Sequence, residues 1–131
     1  NTVTAWGSAD VPYHVTSLDY IAAAFASLFP STPIESLAGR RIGVYEVEVT
    51  GNKLVEALEA KNGTKPTFKL VSLEDAKAQQ KAVIDANEKN DLIRLGVTLH
   101  VKIAQGTANV GKDVYEVPGY KKKTFQELLS F

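Results

Sequence analysis

The most regular pattern of apolar and polar positions lies in residues 13–29, YHVTSLDYIAAAFASLF. Leu18, Ile21, Ala22, Phe25 and Phe29 recur at i, i+3, i+4, i+7 and i+11, the apolar stripe of an amphipathic helix. Ahead of the stripe, Thr16 and Asp19 have the spacing of a capping box, and each can accept from an orphan amide at a helix start. Pro30 pushes the residue before it out of helical backbone. The pattern therefore predicts a core helix over 17–29, capped at Thr16 and stopped at Phe29.

Other segments alternate with this one. TVTAW at 2–6 reads as a strand, Gly7-Ser8 as a turn, and Tyr13-His14-Val15 as an extended entry to the helix. A turn-rich linker and a single helical turn near 34–38 lead to the strongest strand signal, RRIGVYEVEV at 40–49. There Val47 and Val49 alternate with Glu46 and Glu48, which predicts one wetted face carrying both carboxylates. Thr50 should cap a helix with Leu54, Val55 and Leu58 on its apolar side, and Asn62-Gly63 should end it in left-handed backbone. Residues 67–71 read as a strand, with Phe68 and Leu70 on one face.

Ser72 and Asp75 form a second capping box, opening a helix that runs towards Val83 and Ile84 until polar residues 87–91 interrupt it. Leu92, Ile93, Leu95, Gly96, Leu99 and Ile103 give a further helical stripe, although β-branched Val97, Thr98, Val101 and Ile103 also allow a strand. Residues 106–111 read as loop and 113–117 as a short extended piece. Thr124 and Glu127 make a third box, for a terminal helix over 125–131. Strands alternating with helices predict an α/β fold with parallel crossovers. The strands are few for a doubly wound sheet, as though its first half were missing.

Composition narrows the chemistry. At 131 residues the chain is one domain's worth, and its 15 basic and 15 acidic residues cancel, so no net field argues for nucleic acid or an anionic membrane. With no cysteine, thiol catalysis, disulfides and thiolate metal sites are excluded, and two histidines are few for a zinc site. The longest apolar run, 20–29, is about half a membrane span. The expected address is cytoplasmic. The absence of methionine and the immediate strand after Asn1 read as a piece of a longer polypeptide.

No phosphate-binding loop, dinucleotide glycine fingerprint, GxSxG or HExxH motif occurs. The glycine pair of GTANVG at 106–111 follows no firm strand and is a loop. Lys121-Lys122-Lys123 reads as a solvated turn, His100 as a structural residue on a helix, and Asp19 as a cap rather than an acid catalyst. Trp6, Tyr13 and His14 lie close in sequence near the end of the first strand, where aromatics and an imidazole could line a small-molecule pocket. No catalytic residue, cofactor site or metal site is expected within the chain.

Several motifs together resemble the C-terminal portion of NmrA-like, isoflavone-reductase-like proteins of the atypical short-chain dehydrogenase group. They are Gly7, Thr16 and Asp19-Tyr20-Ile21-Ala22 (with Tyr20 inserted), Arg41-Ile42-Gly43, and Thr50-Gly51-Asn52-Lys53-Leu54. Gly63-Thr64-Lys65, Val71 to Asp75, and Pro118 followed by Thr124-Phe125-Gln126-Glu127-Leu128 complete the set. The resemblance implies that residues 1–131 are a single substrate-side region, the last parallel strands and helices of a Rossmann-like fold. The N-terminal half carrying the glycine-rich loop and the reductases' catalytic lysine would lie elsewhere.

It further implies NADP(H) as cofactor of the full-length protein, none bound by this chain alone, a small-molecule substrate, and no nucleic-acid or membrane partner. On that analogy Trp6, Tyr13 and His14 are the pocket candidates. Two other readings stand beside it: a fragment of a non-catalytic dinucleotide-sensing regulator of the same fold, and an independent α+β binding module. An uncovered sheet edge and helix face would also favour self-association.

Overall fold

The computed structural model describes residues 2–130. In chain order the elements are β1 (Thr2–Trp6), β2 (Tyr13–Val15), α1 (Leu18–Ser31), α2 (Ile34–Leu37), β3 (Val47–Val49), α3 (Gly51–Asn62), β4 (Thr67–Val71), α4 (Leu73–Asp85), α5 (Asp91–Ala104) and α6 (Phe125–Leu128). They fall into two compact units. One comprises the chain up to Tyr13 together with Val49–Ala108; the other comprises His14–Glu48 and the chain from Asn109. Two two-stranded sheets are present among the described residues, β1 with β4 and β2 with β3.

The first unit is built on the parallel pairing of β1 and β4, in register from Thr2 opposite Thr67 to Trp6 opposite Val71. Alternation along β1 turns Val3 and Ala5 inward, where Val55 and Ala57 of α3, Val71, Ala76 of α4 and Val101 of α5 complete a core of small side chains. Thr50 caps α3 by accepting from the Lys53 amide, and Gly63 ends it at φ 68°, donating to the Glu59 carbonyl at 2.8 Å.

Ser72 caps α4, accepting from the Asp75 amide at 3.0 Å while its hydroxyl donates to the Asp75 carboxylate at 2.8 Å. The polar interruption separates α4 from α5, with Asn87 in left-handed backbone and Asn90 capping α5. Residues 97–103 are helical, so the β-branched run yields to the helical stripe. Gly7 fits a tight place: its amide extends the ladder to the Val71 carbonyl at 2.8 Å, φ is +79°, and a Cβ there would lie 2.6 Å from the Ala104 carbonyl oxygen.

The second unit departs from the sequence expectation in several places. The cap of α1 is Ser17, not Thr16: its extended backbone lets Oγ accept from the Tyr20 amide at 3.1 Å. Asp19 is drawn instead to Lys123, with its carboxylate 2.8 Å from Nζ. Pro30 lies inside the last turn and the helix continues to Ser31, whose hydroxyl donates to the Ser27 carbonyl at 2.6 Å. The predicted core stripe of α1 faces largely outward, with Leu18, Phe25 and Phe29 exposed; Tyr20 and Ala24 hold the buried side instead.

The strand expected over 40–49 shrinks to β3 plus one isolated parallel bridge, Gly43 with Val114. A glycine there weakens an extended run and admits Val110 against its Cα, where a Cβ would collide. Glu46 is not on a wetted face: it is 6% exposed.

Candidate functional site

The carboxyl ends of β1 and β4 lie together at Trp6 and Val71. A cavity of about 70 Å³ opens beside Trp6, lined also by Ser8, Val11, Tyr13, Leu54 and Ile103. Ligand pockets commonly enclose about 300–1,000 Å³, so this cavity is smaller than a small-molecule site commonly is. β1 delivers Trp6 at its last residue, the positive-φ turn at Gly7 redirects the chain, and Tyr13 returns as the chain enters β2.

Trp6 is held from α5. Its ring stacks on His100 with centroids 3.8 Å apart and planes 12° from parallel. Trp6 Nε1 and His100 Nδ1 are both buried without a hydrogen-bond partner, an arrangement native proteins rarely leave unfilled. Burial lowers the His100 pKa below the ordinary imidazole value, favouring the neutral ring, and raises that of the Tyr13 phenol. The result is an aromatic, uncharged wall with unspent hydrogen-bonding capacity on Trp6.

Of the three residues singled out from sequence, Trp6 and Tyr13 line this cavity, whereas His14 does not. His14 lies in the second unit, stacked on Tyr45 at 3.9 Å and 4°. Its Nδ1 accepts from the Val110 amide at 3.1 Å, which leaves the neutral ring's proton on Nε2, 3.4 Å from a Glu48 carboxylate oxygen. Those contacts make it a loop anchor. His100, expected to be structural, supports the candidate site by stacking on Trp6.

Sequence reasoning also missed a polar network in the second unit. Fully buried Tyr20 places its hydroxyl 3.3 Å from Glu116 and receives the Val117 amide at 3.3 Å. Lys122 reaches Glu116 at 2.7 Å and lies 4.7 Å above the Tyr45 ring. The lysine run is thus not a plain solvated turn, since Lys122 and Lys123 are both committed to partners.

Glu46 accepts from the Ser17 amide at 2.6 Å and the Lys123 amide at 3.1 Å. Burial pushes its carboxyl up, but hydrogen bonds from Ser17 and Lys123 together with the Lys123 charge outweigh it, and the net pKa is lowered. Each partner is far away in sequence, so no periodicity announces it. Among the described residues no cluster of three or more histidines and acids could hold a metal, and no helix is long and apolar enough to cross a membrane. Comparison of the chain with known protein families, curated proteins and solved structures found no match.

Proposed function

We propose that this chain is the substrate-side portion of an NAD(P)-dependent reductase of the NmrA-like, isoflavone-reductase-like kind. Its small-molecule substrate would rest against Trp6 and Tyr13. The observation that carries the reading is the position of the cavity at the carboxyl ends of a parallel strand pair, where open α/β sheets receive their ligands. The uncovered state of that pair supports it too. Parallel strands normally have both faces covered, yet Phe68 and Leu70 on β4 are 39% and 55% exposed.

In this reading a preceding half of the polypeptide extends the sheet, binds NADP(H) and completes the shallow site. The chain contributes binding and orientation through the Trp6 ring, held by its stack on His100, and through Tyr13. Hydride chemistry would come from the dinucleotide, in a cytoplasmic enzyme.

The test is NADPH consumption by the full-length polypeptide across small carbonyl and alkene substrates. Turnover is expected, with Trp6→Ala raising KM about tenfold, or about 1.4 kcal/mol of lost binding. Dinucleotide binding without turnover of any substrate would replace the reductase with a sensor of the same fold. Failure to bind the dinucleotide at all would end both readings.

A further inference from the structure

Within the second unit, residues 109–115 form a strap held at both ends by parts of the chain distant in sequence. At one end the Val110 amide donates to Nδ1 of His14 at 3.1 Å. At the other, Arg40 grips the Asp113 carboxylate through Nε at 2.9 Å and Nη2 at 2.7 Å. Between the two ends the strap lies on Gly43. The Gly43 amide donates to the Asp113 carbonyl at 2.8 Å, and its carbonyl accepts from the Tyr115 amide at 2.9 Å. A Cβ on Gly43 would collide with the Val110 side chain, so the His14 end is closely seated as well.

The two ends respond differently to a proton. Nδ1 accepts the Val110 amide only while it carries no hydrogen, and an imidazolium donates from both nitrogens. Protonation therefore sets two donors against each other at Val110. The groups that face the ring can hold the charged form. Nε2 lies 3.4 Å from a Glu48 carboxylate oxygen on β3, and the ring stacks on Tyr45. Lys122, 4.7 Å over the Tyr45 ring, opposes the charge but is paired with Glu116 at 2.7 Å. The Asp113 end does not titrate in this range. Arg40 stays charged, and its hydrogen bonds hold the Asp113 carboxyl below the usual carboxylate range.

We propose that His14 is a proton-operated latch on this strap. Near neutral pH it pins Val110. When Nδ1 takes a proton, the Val110 N–H loses its acceptor, residues 109–111 are released, and the charged ring turns to Glu48. Arg40 keeps the strap tethered at Asp113, so the opening is local and the unit stays folded.

NMR of the 15N-labelled chain tests this across the imidazole range, from about pH 8 to pH 5. At the upper end His14 should be the Nε2–H tautomer, with a scalar coupling from the Val110 nitrogen to Nδ1 across the hydrogen bond. On acidification that coupling should vanish, and the Val110 amide shift should follow the His14 ring nitrogens with one midpoint. Its exchange protection, corrected for intrinsic rates, should fall about tenfold, as loss of one hydrogen bond warrants. The Ser17 and Lys123 amides, held by Glu46, should keep theirs. His14→Asn retains an acceptor oxygen where Nδ1 stands and does not titrate, so Val110 should then be indifferent to pH over this range. A His14 ring that stays neutral to pH 5, or a Val110 amide that ignores its ionisation, overturns the proposal. Opening that persists in His14→Asn, or that takes the Ser17 and Lys123 amides with it, overturns it as well.

Discussion

The two units of this molecule are held together by different means. The first relies on a backbone ladder and on small apolar side chains, Val3, Ala5, Val55, Ala57, Ala76 and Val101, fitted closely enough that a Cβ at Gly7 would collide with the Ala104 backbone. The second has few buried apolar side chains but is keyed by polar groups: Glu46 on the Ser17 and Lys123 amides, Tyr20 with Glu116, and Arg40 with Asp113. Hydrophobic contact is tolerant of detail, whereas a buried carboxylate holding two amides leaves both unsatisfied if removed. The first unit should therefore yield gradually to substitution and the second sharply, at a few positions.

Glu46→Ala breaks this comparison most strongly. It leaves the Ser17 and Lys123 amides without their acceptor, and a loss of about 3 kcal/mol is expected. Glu46→Gln, which keeps an acceptor oxygen, should cost less. Denaturant unfolding of the two variants beside the parent measures the difference, and equal, small losses would remove Glu46 from its central role.

In the first unit Gly7→Ala should cost about 2 kcal/mol, since it combines positive-φ strain with a clash against the Ala104 backbone. The same denaturant curves report it. A neutral result would mean that α5 can retreat from β1.

The same contrast explains what could be read in the sequence. Caps at Thr50, Ser72 and Thr124 and the left-handed end at Gly63 are local, decided within a turn, and they stand where the pattern put them. The strands of the parallel pair were legible for the same reason. Thr16 and Ser17 differ by one residue and both carry hydroxyls, and nothing local decides which adopts the capping backbone. Glu46 was misread because alternation in VYEVEV assigns it the same fate as Glu48, while contacts with Ser17 and Lys123 bury it.

Trp6 and Tyr13, close along the chain at a strand end, do line one cavity. His14, equally close, turns into the other unit, and the stacking of Trp6 on His100 was invisible because α5 lies far away in sequence.

Apolar packing holds one unit and polar keys hold the other, and pH separates them. In the first unit, burial lowers the His100 pKa below its ordinary 6.5. The unfolded chain then binds the extra proton first, so stability present above about pH 6.5 declines as pH falls below it. In the second unit the lowered carboxyls belong to Asp19, Glu46, Asp113 and Glu127. Their contribution is complete above the unfolded carboxylate range near pH 4 and is lost as pH falls through it.

Amide hydrogen exchange by NMR, corrected for intrinsic rates and followed from pH 7 to pH 3, reads both units at once. Protection along β1 and β4 should begin to fall between pH 7 and pH 5, while the Ser17, Val117 and Lys123 amides hold until about pH 4 and then open together. Loss of protection at Ser17 and Lys123 before the β1–β4 ladder weakens, or simultaneous loss in both units, would contradict the account.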